Sequence, residues 1–223
     1  MNDLNYLPAS GQSGMTLPKN APPAFHILSK PTGAICNLDC KYCFFLSKEM
    51  LYPGSRFRMA DELLETYIKQ LLESHQTPEV TIAWQGGEPT LMGLEFFQKS
   101  VDYADKYKRP NQQIQYTVQT NGTKLDDELC VFFKKNNFLV GLSVDGPKAI
   151  HDTYRVNKGG EGSFDQVMLG LENLKKHNVD FNIMCTVHAA NQDHPLELYH
   201  FFRDELGAQY LQFIPIVERV SEA

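Results

Sequence analysis

The segment that decides the fold and the site contains three cysteines in eight residues: Cys36-Asn37-Leu38-Asp39-Cys40-Lys41-Tyr42-Cys43. It follows a short β-prone run, Phe25 to Leu28, and precedes a series of alternating strand and helix patterns. Polar residues separate the cysteines, which disfavours buried, unreactive thiols. The cysteine total is odd, 5, and no secretory leader pattern is present, so paired disulfides are not expected.

The spacing of these cysteines limits what they can bind. Thiolates hold zinc and iron–sulfur clusters, and purely structural sites usually take four protein ligands. The C-x3-C-x2-C pattern supplies three, and the sequence has no second CxxC to complete a zinc site. A zinc knuckle that borrows His26 is one alternative. Three ligands on a four-iron cluster would leave one iron open, as a catalytic metal requires.

Outward from this segment, short β-rich runs alternate with helical patterns. The predicted strands are Phe25 to Leu28, Val80 to Trp84, Ile114 to Val118, Leu139 to Val144, Phe181 to Val187 and Tyr210 to Ile214. Between them, apolar residues recur at helical spacing, and a capping box, Ser163 with Gln166, precedes the helix that contains Val167. Such alternation predicts parallel pairing through right-handed crossovers, hence an α/β sheet that is open or forms most of a barrel.

The carboxyl ends of the predicted strands are unusually polar, and in parallel sheets and barrels these ends carry the chemistry. Gly86 and Gly87 allow close backbone approach of a ligand and a sharp turn. Ser143 can hydrogen-bond a ribose or carboxylate, and Arg155 can pair with a carboxylate. A lone Gly-Gly-Glu-Pro would more often be an ordinary turn, and a lone arginine a solvated one.

Composition narrows the function classes. The chain has 223 residues, 42% hydrophobic and 22% charged, with a net charge of −6, which excludes disorder and disfavours nucleic-acid binding. No apolar run approaches the roughly 18 residues that span a membrane. Residues 1–23 are rich in proline and glycine and are predicted to be a flexible lead-in to a core at 24–223. A cytoplasmic location follows by default.

The cysteine spacing, with Tyr42 before the last cysteine, resembles the radical S-adenosylmethionine (radical SAM) superfamily. The resemblance implies a partial parallel (β/α)6 barrel in which three cysteines hold a [4Fe-4S] cluster. The open iron of that cluster then chelates the methionine part of the cofactor, and the glycine turn after the second strand binds its amino group.

Further motifs look like those of anaerobic sulfatase-maturating enzymes. They are Phe44-Phe45, the Trp84-to-Leu91 and Leu94-to-Phe97 segments, Gln119-Thr120-Asn121-Gly122, Phe138 to Pro147, and Leu211 to Pro215. This resemblance covers the chain from Phe25 to its end. Enzymes of this family convert a Cys or Ser of a sulfatase into Cα-formylglycine by means of a 5′-deoxyadenosyl radical, under anaerobic conditions.

The resemblance also implies the site residues. Cys36, Cys40 and Cys43 would hold the cluster, and Gln85 would face both cofactor and peptide. The residues expected to contact S-adenosylmethionine are Tyr42, Gly86, Gly87, Glu88, Ser143, Arg155 and Val217. The implied partners are a sulfatase segment of the Cys-x-Pro-x-Arg or Ser-x-Pro-x-Arg type and an electron donor such as flavodoxin or ferredoxin, with no nucleic acid and no membrane.

One departure from the family pattern is expected to matter. Members of the family continue into a cysteine-rich domain with auxiliary clusters and an acidic proton acceptor, whereas this sequence ends at Ala223. We therefore expect a chain truncated before that domain and lacking the proton acceptor. Two other functions stay open: a different radical SAM enzyme that modifies ribosomal peptides, and a catalytically silent, metal-binding scaffold.

Overall fold

The structure, a computed structural model, describes residues 22–216. Six parallel strands form one sheet in the order β1-β2-β3-β4-β5-β6, which is the predicted partial (β/α)6 barrel. The strands are β1 (Leu28–Ser29), β2 (Glu79–Trp84), β3 (Gln113–Thr120), β4 (Phe138–Ser143), β5 (Asp180–Val187) and β6 (Leu211–Pro215). Because every strand is parallel and sequential, all carboxyl ends lie on one edge.

The helices connect these strands. They are α1 (Asp61–Ser74), α2 (Leu94–Tyr107), α3 (Asp127–Lys135), α4 (Lys148–Tyr154), α5 (Phe164–Lys176) and α6 (Pro195–His200). Short 3-10 turns cover Leu46–Leu51 and Pro89–Met92, and a π-helical turn, Phe201–Glu205, continues α6. The apolar faces of the helices pack on the sheet, where Trp84, Phe97, Phe133 and Phe138 are almost fully buried. This core holds the strand ends in place.

Two elements, β1 and α4, differ from what the sequence predicts. The first strand is shorter than predicted, because pairing with β2 joins only Leu28 to Ala83 and Ser29 to Trp84. The helix α4 was not predicted. It has seven residues and one buried side chain, His151, so it is too short to show an apolar period.

The predicted capping box at the start of α5 does not form. Ser163 is the N-cap residue, but its side chain makes no capping hydrogen bond. Its hydroxyl donates instead to the carbonyl oxygen of Arg155 (2.9 Å), and the Phe164 N–H is capped by Asp152 Oδ1 of α4 (2.9 Å). A tertiary contact has replaced the local cap, and it ties α5 to the segment around Arg155.

Candidate functional site

One cavity of about 230 Å³ opens among the carboxyl ends of β2, β3 and β4 and the cysteine segment. The predicted site residues that line it are Cys36, Cys40, Tyr42, Cys43, Gln85, Gly86, Gly87, Ser143 and Arg155. Residues to which the sequence assigned no site role also line it: Lys30, Leu38, Phe44, Phe45, Gln119, Thr120 and Asn121. Val217 lies outside the described residues. The fold thus brings together segments that are up to 125 residues apart, since Lys30 and Arg155 share the cavity.

The cysteine segment is anchored to the loop that follows α4. Asp39 N donates to the Val156 carbonyl (2.8 Å), and Lys41 N donates to the Tyr154 carbonyl (2.9 Å). Leu38, between the first two cysteines, is 1% exposed and forms an isolated bridge with Asn157. The cysteine segment is therefore held by backbone contacts of its own, before any metal is considered.

Three thiols are available as ligands at the cavity. Cys36, Cys40 and Cys43 are free and half-buried. Within residues 22–216, no group of three His, Cys, Asp or Glu side chains is placed to hold one metal ion. Thiolates that each bind a different iron of a cluster need not meet at one point. His26, the alternative zinc ligand, is exposed and does not line the cavity.

Burial affects the protonation of these thiols. Desolvation raises the pKa of Cys36, and it raises the pKa of Cys40 to about 12 despite the nearby Arg155. Without a metal the two cysteines therefore stay neutral at physiological pH. A bound metal would displace their protons, because a coordinating thiol is deprotonated.

The Gly-Gly turn after β2 is required by close backbone packing. A Cβ on Gly87 would lie 2.0 Å from the Ile35 carbonyl oxygen, and one on Gly86 would lie 3.0 Å from Lys30 Cβ. The Gly87 N–H donates to the Gly33 carbonyl (2.9 Å), and Gly86 has a positive φ of 129°. The turn thus positions the chain immediately before Cys36, in addition to exposing backbone to the cavity.

The Glu88 side chain does not line the cavity, and the contact of Glu88 with the cofactor stays a prediction. Its carboxylate is 0% exposed and accepts hydrogen bonds from Thr90, from the Thr120 hydroxyl (2.8 Å) and from the Asn121 N–H (2.7 Å). These donors bind both carboxylate oxygens at the ends of β2 and β3. The Glu88 carboxylate therefore links the ends of β2 and β3 through hydrogen bonds.

A buried carboxylate, Asp145, organises the far side of the site, and sequence reasoning missed it. Its donors are the Tyr42 hydroxyl (2.6 Å), Arg155 Nε (2.8 Å) and Nη2 (3.1 Å), the Thr186 N–H (3.0 Å) and His188 Nε2 at 3.5 Å. Burial disfavours the charge, but the Arg155 guanidinium and these hydrogen bonds hold the pKa of Asp145 well below its usual range. Asp145 therefore stays ionised and paired.

Arg155 is a buried ion-pair partner and not a solvated loop arginine. It is 7% exposed, it lines the cavity, and its carboxylate contacts use Nε and Nη2. Among the described residues, Nη1 donates to no protein acceptor. A second anionic group can therefore bind Arg155 while Asp145 keeps the guanidinium oriented.

His151 is buried and contacts the backbone of Asp145, one partner of this ion pair. Its Nδ1 faces the Asp145 N–H (3.4 Å), and its Nε2 lies 3.1 Å from the Ser163 hydroxyl. Because the backbone N–H can only donate, Nε2 carries the ring proton. Burial and the neighbouring Arg155 lower the pKa of His151 to about 3, so the ring is neutral.

Ser143 lies on the cavity wall beside Gln119. Gln119 Nε2 donates to Ser143 Oγ (3.0 Å), and the Gln119 side chain crosses Gly141, where a Cβ would lie 2.0 Å from Gln119 Oε1. Gln119 and Gly141 are paired across β3 and β4. Gly141 therefore creates the space that lets Gln119 reach Ser143, whose O–H remains available to a ligand.

Lys30 and Gln85 form a third part of the wall. Lys30 Nζ lies 3.3 Å from Gln85 Oε1 and 4.4 Å from the centre of the Phe45 ring. Partial burial lowers the pKa of Lys30, although Cys43 nearby opposes this. The Gln85 amide is thus oriented with its oxygen toward Lys30.

Three free cysteines, a glycine turn and a buried Arg–Asp pair lie at the carboxyl edge of this parallel, open (β/α)6 sheet. The arrangement is typical of partial barrels that hold a metal–sulfur group. A profile described as Radical SAM superfamily matches residues 31–202. The chain belongs to the radical SAM superfamily. Members of this superfamily use a [4Fe-4S] cluster and S-adenosylmethionine.

Individual relatives point to a narrower group within the superfamily. The chain is 46% identical, over 87% of its length, to a serine-type anaerobic sulfatase-maturating enzyme of Bacteroides thetaiotaomicron, of which it covers 47%. It is 37% identical, over 88% of its length, to a cysteine-type anaerobic sulfatase-maturating enzyme of Clostridium novyi, of which it covers 52%. A solved structure of native anSMEcpe with bound AdoMet and Kp18Cys peptide superposes with a TM-score of 0.78 at 37% identity, covering 87% of this chain and 52% of the other.

The chain spans about half the length of the curated relatives it matches. Its described helices include none that is both long and apolar enough to cross a membrane.

Proposed function

We propose that this chain is a radical SAM oxidoreductase of the anaerobic sulfatase-maturating type, which oxidises a Cys or Ser of a sulfatase to Cα-formylglycine. The observation that carries the proposal is the shared cavity of Cys36, Cys40 and Cys43 with the Gly-Gly turn, Ser143 and Arg155. Relatives at 46% and 37% identity are sulfatase-maturating enzymes of the serine and cysteine types, which supports the same substrate class.

The residues present fit the expected cofactors. Cys36, Cys40 and Cys43 supply three thiolates for a [4Fe-4S] cluster, and a fourth iron stays free for a ligand. The backbone at Gly86 and Gly87, and that of Glu88, suits the amino group of S-adenosylmethionine, whereas Arg155 suits its carboxylate. Ser143 suits a hydroxyl of the ribose. Tyr42 stacks near Arg155, with the guanidinium carbon 5.5 Å from its ring centre.

When bound, the cluster and S-adenosylmethionine would supply a 5′-deoxyadenosyl radical able to take a hydrogen atom from Cβ of the substrate residue. Overall, S-adenosylmethionine would be the two-electron oxidant, reduced to methionine and 5′-deoxyadenosine, and the substrate residue would also lose a proton. The chain's own residues bind, orient and seclude. Asp145, which Tyr42 also contacts, keeps Arg155 in position. Gln85 and Lys30 present an amide and a cation at the cavity wall. Phe44 and Phe45 contribute apolar surface at the same cavity, which favours exclusion of water.

The partners and the location follow from this chemistry. The proposed substrate is a sulfatase segment of the Cys-x-Pro-x-Arg or Ser-x-Pro-x-Arg type, and a small redox protein such as flavodoxin or ferredoxin would supply the electron. A cytoplasmic location is part of the proposal, because the cysteines at 36, 40, 43, 130 and 185 are all free thiols, which suits a reducing compartment.

The test begins with the cofactor. After anaerobic reconstitution, the wild-type chain should contain iron and sulfide, absorb broadly in the visible range, and release 5′-deoxyadenosine from S-adenosylmethionine when reduced. A Cys36→Ala, Cys40→Ala, Cys43→Ala variant should do none of these. Cys130→Ala is the matched control, because Cys130 is buried against the core away from the cavity. Equal product from the wild type and the triple variant would overturn the radical mechanism.

The second step separates the substrate classes. Reduced, reconstituted protein is incubated with a peptide that contains the Cys or Ser motif, and with the same peptide carrying Ala at the target position. Mass spectrometry should detect oxidation of the Cys or Ser peptide only. Cofactor cleavage without any peptide product would retain the radical enzyme and reject sulfatase maturation by this chain.

A further inference from the structure

The sulfur of Cys36 accepts two N–H hydrogen bonds. One comes from the Leu38 backbone (3.4 Å) and the other from Asn121 Nδ2 (3.6 Å). Asn121 follows the carboxyl end of β3 and is 85 residues from Cys36 in the chain. The first contact is local to the cysteine segment, whereas the second exists because the sheet places the end of β3 beside Cys36.

The orientation of the Asn121 amide is determined by its neighbours. Its Oδ1 accepts from the Thr123 backbone N–H (3.0 Å) and from the Thr123 hydroxyl (2.7 Å). Because a backbone N–H can only donate, the oxygen must lie on that side. The Nδ2 group therefore faces Cys36 Sγ and Asn37 Oδ1, which is 3.0 Å away.

The Asn121 side chain is also fixed in place. Asn121 is 7% exposed, and its own N–H donates to Glu88 Oε2 (2.7 Å). Thr123 Oγ1 additionally accepts from Asn37 Nδ2 (2.8 Å), which closes a ring of hydrogen bonds with the cysteine segment. These contacts leave the amide one arrangement, with a donor aimed at the sulfur.

We infer that Asn121 is a positioning residue that tunes the reduction potential of the cluster by donating a hydrogen bond to Cys36. The inference rests on the proposed function, since it requires Cys36 to be a cluster ligand. One-electron reduction adds negative charge to the cluster, and much of that charge resides on its sulfurs. An N–H group that points its positive end toward a cluster sulfur stabilises the reduced state and therefore raises the reduction potential.

The experiment compares midpoint potentials by a redox titration followed with absorbance and electron paramagnetic resonance. Asn121→Ala and the volume-matched Asn121→Leu both remove the donor. In each, the equilibrium constant for reduction should fall about five- to tenfold, a tenfold fall being about 59 mV more negative for one electron. Thr123→Val is the control: it removes the hydroxyl contacts of the ring, but the backbone N–H of residue 123 still holds Asn121 Oδ1 and the Asn121 donor on Cys36 is retained. Its potential should match the wild type.

The readouts separate tuning from a structural role. A structural role would lower the free energy of unfolding or the iron content and leave the potential of the loaded protein unchanged. Unchanged potentials in both Asn121 variants with full iron content would overturn this inference alone. A wild-type chain that binds no cluster would overturn the proposed function as well.

Discussion

The Tyr42 hydroxyl donates a 2.6 Å hydrogen bond to Asp145 Oδ2, although the two residues are 103 positions apart. Tyr42 lies between two of the cysteines, and Asp145 follows β4. The same carboxylate binds Arg155 through two nitrogens. Through Asp145, the cysteine segment is therefore linked to Arg155, the arginine proposed to bind the cofactor.

Asp145→Asn should destabilise the protein strongly. The substitution leaves the buried Arg155 charge without its anion, and breaking a buried pair in this way costs about 3–5 kcal/mol. Denaturant unfolding of the 223-residue chain measures the effect. The control is Asp165→Asn, whose ion pair with Lys148 is solvent-exposed and should contribute little to stability. Equal losses in the two variants would contradict the structural role of Asp145.

Gly87→Ala should damage the site through backbone packing. The added Cβ would lie 2.0 Å from the Ile35 carbonyl oxygen, and neither group can rotate away. We expect a loss of about 1–3 kcal/mol in the free energy of unfolding and reduced iron content after reconstitution. Gly159→Ala, where the nearest atom is a side-chain oxygen at 3.2 Å, should change stability by less than about 0.5 kcal/mol. A fully loaded, stable Gly87→Ala variant would refute the close packing of this turn.

Ser143→Ala should weaken binding of S-adenosylmethionine with little change in stability. The Ser143 hydroxyl accepts from Gln119 and can donate to a ligand, and one such bond contributes about 1 kcal/mol, or about fivefold in affinity. Anaerobic equilibrium dialysis of the cluster-loaded protein measures it. Ser47→Ala provides the comparison, because Ser47 is exposed and donates to the Phe44 carbonyl away from β4. Unaltered affinity in Ser143→Ala would remove Ser143 from the proposed cofactor site.

His151 should make the protein sensitive to mild acid. Its pKa is lowered from 6.5 to about 3 by burial, so between these values the unfolded chain binds a proton that the folded chain does not. The free energy of unfolding should therefore fall as the pH drops through this window, by at most about 1.4 kcal/mol per pH unit. The Asp145 contribution is lost at lower pH, below the ordinary carboxylate pKa of 3.8.

The check is a series of unfolding curves at pH values from 7 down to about 4.5, with His151→Asn beside the wild type. The variant should be less stable at neutral pH but should show a flatter pH dependence. His194→Gln, at a histidine exposed on the surface, is the comparison variant. Parallel slopes in the wild type and His151→Asn would show that His151 does not titrate as proposed.

Most of the fold could be predicted because it depends on local patterns. Strand and helix periods, and the turns that separate them, are visible in the residues themselves, and a sequential parallel sheet follows from their alternation. The errors occurred where local patterns were weak or overruled. The helix α4 is too short to show a period, and Ser163 exchanged its expected capping bond for a bond to the Arg155 carbonyl.

Some residues of the candidate site could be predicted from the sequence, and others could not. The cysteines, Gly86, Gly87, Ser143 and Arg155 carry chemistry that their residue types suggest, and the structure gathers them in one cavity. Asp145 and Asn121 were not singled out as functional residues, because an aspartate or asparagine after a strand is ordinary turn chemistry. The assignment of Glu88 to the cofactor stays a prediction for its backbone, while its buried carboxylate accepts hydrogen bonds from Thr90, Thr120 and Asn121.

The residues by themselves determined the alternation of strands and helices, the placement of three thiols in one loop, and the resemblance that points to radical chemistry, because each depends on residues near one another in the chain. Tertiary structure alone decided the partners of those residues. It paired Asp145 with Tyr42 and Arg155, and it aimed the Asn121 amide at Cys36. Such contacts join strand ends that only sheet order and register bring together, and spacing along the chain cannot specify them.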